Sequence, residues 1–271
     1  MNEIEKPIQR SKLRQFLGKE YFILKRKWQW WIDEETYAQQ KAVAPYSHLV
    51  FKHQSLILRP LQGLDMQLQE NKRTNLGLAV PHLHLIEIPP QTCFSLWKLV
   101  GRPSQRKGYL EGLVLKEGKV ARGTGGGLCQ LGNLLFWLFA HSPLTIKERH
   151  RHGYDVFPGV NRKVPFGAGA TLAYNYIDLQ VKNETNNSFV LELWLDATHL
   201  HGQLTAQQPL EASYRIEERN SIMKQQFWGG YSRHNQIFKI TTTSEQVTEE
   251  LLFENHAIMM YEPFLERGSG G

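Results

Sequence analysis

The chain is poor in cysteine: two thiols, Cys93 and Cys129, among 271 residues. That number excludes a disulfide scaffold, and the chain reads as reduced. It also lacks any apolar stretch long enough to cross a bilayer. The longest, residues 134–140, is far short of the ~20 residues a spanning helix needs. Residues 1–31 are basic and aromatic, without the apolar centre or small-residue cleavage site of a secretory signal. A cytoplasmic address is the expectation. There is no internal repeat and no Walker or dinucleotide-binding glycine pattern, since Gly123-x-Gly125 is too incomplete to cradle phosphate. Charge of either sign is in modest supply: 32 Lys and Arg against 26 Asp and Glu leave +6. Such an excess favours acidic partners such as phosphates or anionic cell-wall polymers. No nucleic-acid partner is expected.

What the chain does have is glycine in one place. Gly123-Thr-Gly-Gly-Gly-Leu-Cys-Gln-Leu-Gly-Asn133 delivers Cys129 onto Leu131–Phe139, a run that is apolar on every side. Such a run reads as a helix buried all round. Cys129 falls in its first turn, where unpaired N–H groups and the helix dipole favour a thiolate, the reactive form. Gly125, Gly126 and Gly127 leave the sulfur uncrowded and let a ligand approach the main chain. Downstream, Glu148-Arg-His-Arg-His152 supplies His150 and His152 as candidate bases. A free cysteine also serves as plain packing, and a glycine cluster as tight packing. Spacing alone leaves these readings open.

These residues resemble the VanW family. The resemblance rests on Gly125-Gly-Gly-Leu-Cys-Gln130 with its apolar helix, Glu148-Arg-His150 and His152. Flanking matches are Phe94-Ser95, Val100-Gly101, Gly108-Tyr109, Pro165-Phe-Gly167 and Ala170-Thr171, so that it spans about residues 70–205. It implies a link to peptidoglycan and glycopeptide resistance, and in some relatives an L,D-transpeptidase using the cysteine as nucleophile. On that reading Cys129 and His152, with His150 in reserve, act on a stem-peptide-like amide. The N–H groups of the Gly126–Cys129 turn take the oxyanion. Gln130 either donates to the oxyanion or caps the helix, and Arg149 and Arg151 hold a substrate carboxylate or are solvated. Asp155, Asn175 and Asp178 are candidates to orient the imidazole. No cofactor is required. The partner is a peptidoglycan precursor or fragment. Two positions depart from the family pattern: Gly153 where serine is usual, and Gly169 where aspartate is usual.

Two further readings remain. The glycine turn and helix start suit a non-catalytic module that binds an anionic cell-wall precursor through N–H groups. Alternatively, Cys129 and one of the His-x-His pairs 82/84, 150/152 or 199/201 bind zinc.

The pattern predicts an α+β fold with the Cys129 helix packed on a largely antiparallel sheet. Residues 1–69 form an N-terminal helical segment, with helices over 4–42 and 62–80. Residues 70–205 form the functional domain, 206–267 a small β extension, and 268–271 a flexible tail. Within the first helix, Leu13, Phe16, Leu17, Tyr21 and Leu24 recur at helical spacing with basic residues between. Those charges read as a solvated face, with an anionic lipid or phosphate surface as the alternative, and Trp28, Trp30 and Trp31 as packing against the main domain. Val114–Val120, Tyr174–Val181 and Phe189–Leu195 read as strands, with a turn over Asn183–Ser188. Beyond them follow β-like stretches at Tyr214–Glu218, Gln236–Thr243, Glu249–Glu254 and Ala257–Tyr261, with a turn at Gly229-Gly230.

Overall fold

The computed structural model describes residues 11–58, 66–116, 119–151, 153–156 and 164–261. The expected helix starts at 4 and 62, His152 and the 268–271 tail lie outside them. The helices are α1 (Lys12–Ile32), α2 (Met66–Leu83), α3 (Leu96–Val100) and α4 (Cys129–Ala140). The strands are β1 (His48–Leu56), β2 (Ile86–Ile88), β3 (Cys93–Ser95), β4 (Glu111–Lys116), β5 (Lys119–Thr124), β6 (Thr145–Glu148) and β7 (Tyr154–Asp155). They continue with β8 (Gln180–Lys182), β9 (Phe189–Leu195), β10 (His199–Ala206), β11 (Ser213–Gln225), β12 (Tyr231–Thr242) and β13 (Val247–Met259).

They form four sheets, ordered β1-β10-β9-β2, β11-β12-β13-β7, β3-β8-β6 and the hairpin β4-β5. All pairings are antiparallel except β13 with β7. The α+β expectation holds. α4 is the helix the sequence promised: from Leu134 to Ala140 every side chain is buried. Burying a Leu or Phe fully is worth about 1.5–3 kcal/mol, so this one helix anchors the core. It lies on β1 and β10, meets Phe94 of β3 through Phe139 at 5.1 Å, and meets Phe253 of β13 through Phe136 at 5.6 Å.

Several expectations need correction. The helix placed over 4–42 ends at Ile32, and the chain then runs extended, bridging Cys93 from Tyr37 and Ile86 from Lys41. Asp33-Glu-Glu places carboxylates where a helix C-terminus repels them. Asp33 instead closes a local turn, accepting from the Glu35 N–H at 3.2 Å and the Tyr37 hydroxyl at 3.1 Å. Val114–Val120 is not one strand, because its two ends belong to β4 and β5, which pair antiparallel with each other. Tyr174–Val181 is mostly a turn: Asn175 sits at φ +53°, which a strand excludes, and only its end joins β8. Trp28 and Trp31 do not pack on the body; both are exposed, and Trp30 alone is half-buried.

Candidate functional site

The glycine turn is built by its neighbours. Its N–H groups are drawn inward, Gly125 donating to Leu110 O at 2.9 Å, Gly126 to Gly123 O at 3.0 Å and Gly127 to Leu113 O at 3.0 Å. From α2, the fully buried Asn75 donates to Gly126 O at 2.9 Å and Leu110 O at 3.0 Å, and accepts from Leu110 N–H at 2.8 Å. Gly126 lies against the main chain of Gly112, and Gly127, at φ +92°, against Lys72. These glycines therefore serve close packing and a left-handed backbone. Of the amides in the Gly126–Cys129 turn, those of Gly126 and Gly127 are engaged. Those of Leu128 and Cys129, at the start of α4, have no main-chain acceptor among the described residues.

Cys129 is the first residue of α4 and is half-buried, while Leu128, Leu131 and the helix beyond Asn133 are covered. Its Sγ lies 3.9 Å from Leu172 O. Burial pushes the thiol above its ordinary range, and main-chain hydrogen bonds at Leu172 and Cys129 itself offset this only in part. The expected helix-start thiolate is thus overruled by desolvation, and at neutral pH Cys129 rests as a thiol. Cys93 is buried in β3, with its thiol pushed up to about 12 by burial and the nearby Glu35 carboxylate. Both cysteines are free. Gln130 turns away from the sulfur. Its amide donates to Ser55 Oγ and Leu56 O, each at 2.9 Å, and ties α4 to β1.

The segment after β6 lies on the other side of residues 171–172. The Thr171 N–H donates to His150 O at 2.8 Å, one residue from the carbonyl beside Cys129. The His150 ring points elsewhere, with Nε2 3.2 Å from Glu148 Oε1. That same oxygen accepts the Asp178 N–H at 3.0 Å, and the carboxylate takes a bidentate pair from Arg26 at 2.6 and 2.9 Å. Burial raises the Glu148 carboxyl, but the Arg26 guanidinium outweighs it and holds the group below its ordinary value. Glu148 is therefore the residue that orients His150, and it was missing among the sequence candidates. The readable signal was Glu-x-His, since residues two apart on extended chain share a face. Of those candidates, Asp155 accepts from Tyr261, Asn175 is buried, and Asp178 is held inside the core.

Arg149 and Arg151 are both engaged by the chain's own carbonyls. Arg149 donates to Gly169 O at 2.8 Å and to Gly167 O, and lies over the ring of Phe253 at 3.7 Å. Arg151 donates to His256 O at 3.0 Å and lies over Phe166 at 5.0 Å. The Gly169 departure has a packing cause. A Cβ there would stand 2.3 Å from Asn133 Oδ1, which accepts the Ala170 N–H at 2.9 Å. At Gly153 no atom lies within 4 Å of an added Cβ, so packing does not require glycine.

Asp178 gives the site a pH signature. Its carboxylate accepts from Ser95 Oγ at 2.6 Å, Trp97 N–H at 3.1 Å and Leu179 N–H at 2.9 Å. Even so, burial pushes it up to about 6. The folded chain thus binds this proton more tightly than the unfolded one. Stability from Asp178 is gained as pH falls from above 6 toward 4, and its charged form weakens the fold by about 3 kcal/mol above 6. Glu148 runs the opposite way: its contribution is present above its ordinary pKa and lost as pH falls through the depressed folded value. Urea unfolding of wild type and Asp178→Asn at pH 4 and pH 7 is the check. The gap between them should change by about 2 kcal/mol, since the unfolded carboxyl is already half ionised at pH 4, and a constant gap contradicts it.

The remaining histidine pairs have structural partners. His84 Nδ1 accepts from Leu193 N–H at 3.1 Å, and His201 Nε2 meets Asp196 Oδ2 at 2.5 Å while stacking on Trp194. No group of three or more His, Cys, Asp and Glu side chains that could hold a metal occurs among the described residues. A half-open cleft of about 440 Å³, lined by His48, His141 and Tyr214, lies at the far end of α4. Twelve helical residues, roughly 18 Å, separate it from Cys129.

Comparison with known proteins agrees with the motif. The family model described as "VanW like protein" matches residues 71–205. The chain is 34% identical over 228 residues to "Vancomycin B-type resistance protein VanW" of Enterococcus faecalis (strain ATCC 700802 / V583), covering 83% of this chain and 82% of that protein. It is 26% identical over 122 residues to "Uncharacterized protein YoaR" of Bacillus subtilis (strain 168), covering 45% of this chain and 39% of that one. No solved structure matches.

Proposed function

Because the chain belongs to the VanW family, we propose that it serves glycopeptide resistance through cell-wall chemistry, as a cysteine-dependent acyl transferase or hydrolase acting on a stem-peptide-like amide. One observation carries this reading: a free, half-buried thiol stands at the first turn of an otherwise buried helix, beside two amides without main-chain acceptors. Cys129 Sγ attacks the amide carbonyl while its proton passes to an imidazole, His152 by the family resemblance or His150 held by Glu148. Since the sulfur rests as a thiol, the base removes the proton during the attack and not from a preformed ion pair. The Leu128 and Cys129 N–H groups donate to the oxyanion, each such donor being worth about 2.7–4 kcal/mol. Collapse breaks the C–N bond, the imidazolium protonates the departing amine, and a thioester remains. An incoming amine completes transpeptidation, and water completes hydrolysis. The substrate is a peptidoglycan precursor or fragment.

A second reading is favoured by a different observation. The thiol lies against Leu172 O, no imidazole contacts it among the described residues, and Arg149 and Arg151 are engaged by carbonyls. That arrangement suits a non-catalytic module that binds the same precursor.

Intact-mass analysis after incubation with a muropeptide stem peptide separates the two. Acyl transfer requires an acyl adduct on wild type that Cys129→Ser lacks. Saturable binding without an adduct supports the module, and neither result removes both. Burial makes an independent prediction: iodoacetamide should modify Cys129 slowly at pH 7, with a midpoint above the ~8.5 of a free thiol.

A further inference from the structure

The periodicity of α1 marks an apolar stripe, and the structure turns that stripe outward. At about 100° per residue, Leu13, Leu17, Tyr21, Leu24, Trp28 and Trp31 fall within an arc roughly a quarter-turn wide. Each is between 56% and 81% exposed. The other face is fixed to the body, with Glu20 at its boundary with the stripe. Arg26 holds Glu148 at 2.6 Å, Glu20 holds Arg102 at 2.9 Å, and Phe22 packs on Tyr176 at 4.8 Å. Ile23 is the buried residue of that face. The helix therefore cannot roll its stripe inward without breaking those contacts.

Charge says what covers it. Arg14 and Lys25 border one side of the stripe and Lys27 the other, and all three are exposed. Among the described residues none of these three cations pairs with a carboxylate. The one acid in the helix, Glu20, is neutralised by Arg102. Large apolar side chains bordered by unpaired cations, with tryptophans at one end, match an anionic lipid surface. The rings and leucines enter the acyl boundary while the ammonium groups reach the phosphates. A second protein copy would bring the same three cations against themselves. No helix of the described chain is long and apolar enough to cross a membrane, so the mode is in-plane.

We propose that α1 is an interfacial docking helix that seats the protein on an anionic membrane surface. The inner face of the same helix holds Glu148, so docking places the end of β6 on the membrane side of the molecule, behind α1. The docking stands whether or not Cys129 reacts.

Co-sedimentation of the full chain with vesicles of phosphatidylcholine alone or mixed with phosphatidylglycerol is the test. Wild type should partition to the mixed vesicles and leave them in high salt, because exposed charges are screened. Leu24→Glu with Trp28→Glu should abolish binding. Lys25→Glu with Lys27→Glu should weaken it at least about tenfold, at ~1 kcal/mol for each cation near the surface. All four side chains are exposed, and unchanged circular dichroism confirms the fold. Absence of wild-type binding overturns the proposal, as does equal binding to neutral vesicles. So does a wild-type dimer that Leu24→Glu with Trp28→Glu converts to monomer, since a second copy then covers the stripe.

Discussion

Gly126→Ala should leave little soluble folded protein, or lower the melting temperature by roughly 10 °C or more. The added Cβ would stand 2.1 Å from the Gly112 carbonyl carbon, 2.3 Å from its oxygen and 2.5 Å from its Cα. These are main-chain atoms of β4, so no side-chain rotation relieves the clash. The turn would have to move, pulling Gly126 O from buried Asn75 and Gly127 N–H from Leu113 O. Overpacking alone typically costs about 1–3 kcal/mol, and each orphaned buried polar group about 1–3 more. A sum near 4 kcal/mol is a large part of a domain's usual margin and corresponds to the shift stated, at about 2–4 °C per kcal/mol. Gly153→Ala is the control, because its added carbon meets nothing within 4 Å. Differential scanning calorimetry of both variants decides it, and a Gly126→Ala protein that melts with wild type would refute the packing of the turn on β4.

The same pair of glycines shows where the sequence was readable. An all-round apolar run can only be satisfied by burial, so α4 was legible, and Phe189–Leu195 emerged as β9 within its stated bounds. The glycine cluster was legible as a cluster but not in its purpose. Whether small residues admit a ligand or a neighbouring strand depends on Gly112 and Asn75, the latter 51 residues from its partner Gly126. The clamp that orients His150 joins residues 122 apart, Arg26 and Glu148. Periodicity likewise announced a stripe on α1 but not which way it faces, because the fixing contacts come from distant chain. Asn175 broke an expected strand through a backbone angle that no alternation pattern records. The candidate nucleophile could be named from the motif, while the ionisation of its thiol could not. Desolvation by tertiary neighbours overrode the local helix-start effect at Cys129.

Arg149→Ala should cost about 3 kcal/mol of stability and act through the fold, not through a ligand. The guanidinium joins three parts of the molecule: the 167–169 loop through Gly167 O and Gly169 O, α4 through Phe136 at 4.9 Å, and β13 through Phe253 at 3.7 Å. A hydrogen bond from a charged donor is worth about 1.5–3 kcal/mol, and a desolvated cation over a ring about 2. Against these stands the cost of holding a cation in a buried place, which pulls the guanidinium well below its ordinary pKa without removing its charge. The net is therefore smaller than the sum. Arg149→Met separates packing from bonding. Its unbranched side chain still fills the gap between the two rings, so it should recover part of the loss seen in alanine but leave Gly167 O and Gly169 O without their donor. Urea unfolding should rank wild type above Arg149→Met above Arg149→Ala. Stem-peptide binding measured calorimetrically well below each melting temperature should be the same for wild type and Arg149→Met. A methionine variant as stable as wild type that no longer binds a peptide carboxylate would place Arg149 in the substrate site and not in the scaffold.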